Sequence, residues 1–418
     1  MNSYGLVLAG GGAKGAYQIG AWKALKEMGI TFNAIAGTSI GSINGALIAA
    51  DDYESAHQLW LNISIDKGLR INEELPDPEN LFSKKNWGTL FREVIKNGGL
   101  DASPAAEFVS QYVDEAKVRE NSIPFFVVTV QMTQGVTPRE ISIDEIPEGK
   151  LTDYLMASSN IPLAVGIGPE GEKYLDGGVY DNIPIMTLKK RGYNKIIILD
   201  ISNLKGVGHT MNTINSQVIH IKPYNTDMLG GFMDLDAEAV EKRIQLGYFD
   251  AKKAFSHLLG NIYYFLPETF RSMVRSFGAD AIVNLEKLAF YLSVDPYKIY
   301  TETEFITAVK QAYEAEKQRL REETEAAERE RAREKERENE LTLLRNAIKK
   351  RWATVTSDNE DSEELTDESI AADTAEEQHD AKEREFDSIR NVFKKHFGQK
   401  HPLDEFSDAI TLLDNFII

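Results

Sequence analysis

No cysteine occurs anywhere in this chain, which excludes disulfide bonds, a thiolate nucleophile and thiolate-held metal ions. No apolar run reaches the roughly 20 residues that a bilayer-spanning helix needs. No signal sequence is expected either, because the strand-like run YGLVLA begins at Tyr4 with no basic or apolar stretch before it. Positive charge is also scarce, with 47 Lys and Arg against 66 Asp and Glu and a net charge of −19. No basic face suited to nucleic acid emerges, so that partner is not expected. Together these absences predict a cytoplasmic protein whose contact with membranes is peripheral.

The negative charge is concentrated. Residues 358–380 hold eleven Asp or Glu and no Lys or Arg, more than half of the formal net charge. The surrounding stretch, 354–384, has the composition of a disordered acidic linker. Just upstream, residues 314–340 hold eleven Glu and eight Lys or Arg. Opposite charges three and four apart predict a long exposed helix over 303–353, a candidate surface for a protein partner or self-association. Past the linker, Ile389, Val392, Phe393 and Phe397 share a helical face flanked by Lys394 and Lys395. Residues 385–418 therefore read as a short amphipathic segment able to dock on a protein or a membrane surface.

Residues 1–260 have a different character. The runs YGLVLA, TFNAIAG, FFVVTVQ and NKIIILDIS are short, apolar and rich in β-branched side chains. Such runs suit a mostly parallel sheet buried on both faces. Helical patterns such as YQIGAWKALKEM and YESAHQLWLNI lie between them, which predicts an α/β sandwich. Residues 261–302 are expected to form a helical connection packing on this domain.

After the first strand comes AGGGAKGAY, in which Gly10, Gly12 and Gly15 fit the dinucleotide pattern G-x-G-x-x-G. That use needs an acidic residue about 20 positions on, at the end of the second strand, to hold a ribose. Here the strand ends AIAGTS, with a serine in that place. The phosphate-loop pattern fails as well, because Lys14 is followed by Gly15 rather than Ser or Thr. Three glycines can instead bring bare N–H groups, backed by a helix N-terminus, close to a developing oxyanion. Lys14 would make the local potential more positive.

Gly37-Thr38-Ser39-Ile40-Gly41 is a G-x-S-x-G turn between a strand and the small-residue helix SINGALIAA. Such an elbow projects a serine hydroxyl clear of the sheet. Strand, helix and strand make one right-handed βαβ unit. Both turns therefore follow carboxyl ends of parallel strands and share one edge of the sheet, where open α/β folds place their sites.

A serine hydroxyl needs a base. His379, His396 and His401 lie in the charged tail, and His57 sits mid-helix. The order Ser…Asp…His would require His209 or His220, and neither carries a motif. Asp176 does, standing at the end of a short strand and followed by Gly177 and Gly178 in EKYLDGGVYDNIP. Shielded from water, its carboxyl would titrate in the range of a general base. Asp181 is the weaker candidate, in a setting that suggests a turn or cap.

These blocks, with ASSNIP at 157–162, resemble the patatin-like phospholipases in content and order. The resemblance covers about residues 1–260. It implies a three-layer α/β/α sandwich with a mostly parallel sheet, followed here by a helical, charged C-terminal extension. It implies a Ser39–Asp176 dyad without histidine and an oxyanion hole at Gly10, Gly11 and Gly12. Lys14, Gly15, Gly37, Gly41, Gly177 and Gly178 then complete the motifs. No metal or cofactor is implied. The substrate would be a fatty-acyl ester of a phospholipid, a lysophospholipid or a neutral lipid at a membrane surface. LFSKKNWGTLF (81–91) is a candidate lid or acyl channel, and NIYYFLP (261–267) a candidate bilayer contact. Two other readings stay open: a nucleotide-binding oxidoreductase built on Gly10–Gly15, and a non-catalytic scaffold recruiting partners through its C-terminal region.

Overall fold

The computed structural model describes residues 3–64, 103–132, 137–159, 174–202, 216–232 and 234–356, together with Phe406, Ala409, Leu412 and Leu413. The lid candidate at 81–91, His209, residues 160–162 of ASSNIP and the segment around Ile389 to Phe397 lie outside the described residues. Two compact units are formed, Met1–Phe270 with Tyr297–Ile299, and Arg271–Pro296 with Tyr300–Ile418.

The first unit is built on a seven-stranded sheet. Its strands are β1 (Ser3–Leu8), β2 (Thr31–Thr38), β3 (Phe125–Gln131), β4 (Thr137–Ser142), β5 (Tyr174–Asp176), β6 (Lys195–Leu199) and β7 (Gln217–Ile221). The order is β4-β3-β2-β1-β6-β7; β3, β2, β1, β6 and β7 are parallel and β4 is antiparallel at the edge. The sheet is buried on both faces, as its near-continuous apolar strands require. Leu6, Leu8, Ile35, Ile197 and Leu199 join the larger core, which is covered by α1 (Ala16–Glu27), α2 (Ile40–Ala49), α3 (Tyr53–Asn62) and α8 (Ala237–Ala254). Their sequence neighbours Val7, Ala34, Ala36, Ile196 and Ile198 point the other way, onto the short helix α7 (Ile185–Lys189). Alternation with period two thus divides one set of strands between two apolar layers. Among the described residues this unit also has α4 (Ser103–Ser110), α5 (Glu115–Glu120) and α6 (Leu151–Ser158).

Beneath the glycine turn runs a buried polar chain. Trp60 Nε1 donates to Asn44 Oδ1, Asn44 Nδ2 donates to Gln18 Oε1 and to the Gly15 carbonyl, and Gln18 Nε2 donates to the carbonyls of Ala9 and Leu199. It ties three helices to the ends of β1 and β6. Asn44→Ala would orphan several fully buried groups at once, each costing about 1–3 kcal/mol. An overall loss of about 3 kcal/mol is expected in urea unfolding, and a loss below about 1 kcal/mol would contradict this role.

NIYYFLP, a candidate bilayer contact, is mostly core. Ile262, Tyr263, Tyr264 and Phe265 are at most 1% exposed, and Tyr264 donates through its hydroxyl to the buried Asp250 carboxyl. The segment fills the core.

Helix α9 (Pro267–Phe277) crosses the boundary between the two units, and α10 (Ala279–Tyr291) and α11 (Glu302–Thr356) follow in the second. Ile282, Leu285 and Leu288 of α10 and Phe305, Ile306 and Val309 of α11 are buried there, with Ala409 and Leu413. A capping box opens α11: Thr301 Oγ1 accepts from Glu304 N, and Glu304 Oε2 accepts from Thr301 N. From Glu325 to Lys350 this 55-residue helix is exposed, and it carries ion pairs such as Lys317–Glu314, Arg319–Glu316 and Arg329–Glu325. Among the described residues no helix is long and apolar enough to cross a membrane.

Candidate active site

Ser39 stands between β2 and α2 with φ 55° and ψ −131°. A non-glycine residue in that region stores strain of about 1–3 kcal/mol and needs its surroundings to hold it. Here Ser158 does so: its Oγ donates to the Val128 carbonyl (2.6 Å) and accepts from Ser39 N (2.9 Å). The elbow is thereby tied to β3. Gly37 and Gly41 face each other so closely that a Cβ on Gly37 would lie 2.3 Å from the Gly41 carbonyl oxygen.

The glycine turn follows β1 on the same sheet edge. A Cβ on Gly10 would stand 3.0 Å from Ser39 Cβ and 2.5 Å from Asn182 Oδ1, so only glycine lets the turn approach the serine. One expectation needs correction. Gly10 N–H donates to the Asn182 carbonyl at 3.2 Å, which removes it from the donors free to meet an oxyanion. Among the described residues, the turn's other backbone bonds run from Ala13 N to Phe232 O and from Lys14 N to Gly11 O. None uses the N–H of Gly11 or Gly12, and both groups lead into the helical turn Gly12–Gly15 and then α1.

Asp176 arrives by an independent route. β4 occupies one side of β3 along Phe126–Gln131, and β2 occupies the other along Phe125–Val128. The rest of that second side, Thr129–Gln131, is filled by β5 running antiparallel. Thr38 pairs with Val128 and Asp176 with Thr129. The ends of β2 and β5 therefore meet head to head in one lane, with Ser39 and Asp176 at the junction.

There the Ser39 hydroxyl faces the Asp176 carboxyl and favours its ionised form. Gly178 N donates to Asp176 Oδ1 at 2.6 Å. Burial pushes the Asp176 pKa up to about 6, against the downward pull of those two groups. Ser39 itself is 6% exposed.

A pocket of about 530 Å³ opens over this pair, lined by Gly10, Gly11, Lys14, Asn182, Val179 and Phe232 among others. Lys14 is nearly buried; burial and then the Arg243 guanidinium hold its ammonium below the usual lysine range, with Asp227 acting upward. At the rim, Val179 and Phe232 are about half exposed.

The histidines are elsewhere. His220 Nε2 lies 2.9 Å from Asp200 Oδ2, on β7. That strand is three lanes from β2, roughly 14 Å at the usual strand spacing. His57 stacks on Tyr53. Asp181 caps a turn, its Oδ1 accepting from Ile183 N and its carbonyl from Thr38 Oγ1. Among the described residues no histidine lines the pocket.

Three contributors escape sequence reasoning. Ser158 is visible only as part of ASSNIP, with no sign of which neighbour it binds. Asn182 clips the glycine turn from both sides, its Nδ2 donating to Gly10 O. Arg243 looks like any arginine on an amphipathic helix, yet it is 2% exposed and donates to Leu229 O and Asp234 Oδ2. It holds the segment carrying Gly230, Gly231 and Phe232 over the pocket.

The chain is similar to known proteins. The family model described as patatin-like phospholipase matches residues 6–189. Patatin-like phospholipase domain-containing protein 7 of Mus musculus is 26% identical over 208 residues, 48% of this chain and 14% of that protein. Lysophospholipase nte1 of Aspergillus terreus is 26% identical over 231 residues, 54% of this chain and 14% of that one. The match thus spans about a seventh of each relative. Among solved structures, VipD from Legionella pneumophila is 14% identical with a TM-score of 0.39, over 74% of this chain and 80% of that one. Residues 6–189, which carry the glycine turn, the serine elbow and the Asp-Gly-Gly turn, are thus similar to the patatin-like phospholipases.

Proposed function

We propose that this protein is a serine lipid acyl hydrolase working through a Ser39–Asp176 dyad. Asp176 takes the hydroxyl proton as Ser39 Oγ bonds to the ester carbonyl carbon. The N–H groups of Gly11 and Gly12 hold the oxyanion that forms. Collapse of the tetrahedral species breaks the ester bond, and the departing alkoxide recovers the proton from Asp176. Water then attacks the acyl-enzyme, giving its proton to Asp176, and a fatty acid leaves as Ser39 is restored. The reading rests above all on the meeting of the strained Ser39 with the Asp176 carboxyl at the junction of β2 and β5, over one pocket.

The half-exposed apolar rim at Val179 and Phe232 suits an acyl chain. Relatives named as phospholipase and lysophospholipase favour phospholipids or lysophospholipids as the esters cut. The test is product analysis on defined diacyl and lysophospholipids with the wild type and Ser39→Ala. Fatty-acid release by the wild type alone is expected; equal release by both would end the proposal.

The pH profile follows from the base. Asp176 accepts a proton only when ionised, so kcat/KM on a soluble ester should be flat above about pH 7 and fall below about pH 6. At pH 5 the rate should be about one tenth of the plateau. A controlling limb near 7 that vanishes in His220→Ala would show a histidine in the base role instead.

A further inference from the structure

The far end of α11 differs from the rest of that helix. Residues 341–357 contain Arg345, Lys349, Lys350 and Arg351 and no acidic residue, although the chain as a whole carries −19. Acid-rich sequence flanks them on both sides, eleven Glu in 314–340 and eleven Asp or Glu in 358–380. Within this cationic island Leu341, Leu344 and Ile348 are 59%, 58% and 56% exposed. At 100° per residue these three positions, with 352 and 355, fall inside an arc of about 80°. The last two positions carry Trp and Val. Arg345 and Arg351 sit at the two borders of the arc by the same register.

A narrow apolar strip bordered by arginines matches a helix lying in a lipid interface, its strip among acyl chains and its cations at headgroup level. A coiled coil with a second copy fits less well. Continued upstream, the same arc carries Arg337, Glu334 and Glu330, so no apolar seam of three or four heptads exists. We propose that residues 341–356 are a docking surface for an anionic phospholipid bilayer. This surface is separate from the Ser39 pocket, and its test does not depend on catalysis.

The test uses the full chain carrying Ser39→Ala, so that vesicles are not consumed. Cosedimentation is measured on vesicles of phosphatidylcholine alone and of phosphatidylcholine with about one third phosphatidylserine. Binding to the anionic vesicles should be at least tenfold tighter and should weaken with added salt. Leu344→Gln with Ile348→Gln, and Lys349→Glu with Lys350→Glu, should each remove about tenfold or more. Leu343→Gln alters an equally apolar side chain, 70% exposed and on the opposite side of the helix, and should change binding less than about twofold. In the wild-type background all of these variants should keep full activity on a soluble ester, which excludes misfolding. Equal binding to both vesicle types, equal damage from Leu343→Gln, or loss of a dimer or of a protein partner without loss of vesicle binding would overturn the proposal.

Discussion

Ser39→Ala is expected to lower ester hydrolysis by about 10⁴-fold or more, the scale seen when a nucleophile is removed from a serine hydrolase. The fold should survive, because the contacts that hold the elbow use the Ser39 backbone: its N–H to Ser158 Oγ and its carbonyl to Ser42 Oγ. Labelling by a fluorophosphonate should be lost in parallel. The instructive comparison is Ser202, which also lines the pocket. Its hydroxyl donates to Asp200 Oδ1 at 2.6 Å, and Asp200 also binds His220. Burial acts upward on Asp200, but the hydrogen bonds from His220 and Ser202 outweigh it and hold that carboxyl below its usual range. Such a group is a poor base, whereas Asp176 is lifted to about 6. Ser202→Ala should therefore retain activity within about tenfold of wild type. A Ser39→Ala enzyme within tenfold of wild type, with Ser202→Ala inactive, would move the nucleophile across the pocket.

Asp176→Asn should lower kcat by about 10³-fold, the contribution expected of a positioned general base. His220→Ala should cost little, since that ring lies on a strand three lanes from β2. Equal losses in the two variants would indicate a histidine-dependent mechanism. A second readout separates catalysis from folding. The folded pKa of Asp176 is raised above its unfolded value, so its contribution to stability falls as pH rises from about 4 to about 6. Keeping this carboxylate ionised at neutral pH costs the fold about 3 kcal/mol, from two units at 1.36 kcal/mol each. Asp176→Asn should thus unfold at no lower a temperature than wild type at pH 7.5 while being nearly inactive. An inactive variant that also melts much earlier would point to a structural role for the carboxyl.

What could be read in advance was what depends on near neighbours along the chain. The Ser39 elbow and the Gly10–Gly12 turn are legible because their glycines and the strand-to-helix switch lie within five or six residues. Their meeting was legible too, since two parallel strands joined by one crossover must end on the same edge. Asp176 was legible only as a residue type beside two glycines. Its place opposite Ser39 depends on β5 taking the part of β3 that β2 leaves free, a pairing 46 residues away that no local pattern encodes.

Burial was the least legible property. NIYYF reads equally well as a membrane contact or as core, and its neighbours in space decided for core. The same holds for Gly10, whose N–H looked available until Asn182, 172 residues on, proved to be its partner. By itself, then, the sequence determined the chemistry on offer: a hydroxyl at a tight turn, bare amides before a helix, and a carboxyl beside glycines. Tertiary structure alone decided which amides are already occupied, how far burial raises the Asp176 carboxyl, and that among the described residues no histidine lines the pocket. Backbone conformation is set over a few residues, whereas hydrogen-bond partners and solvent exclusion are set by segments that meet only after the sheet has assembled.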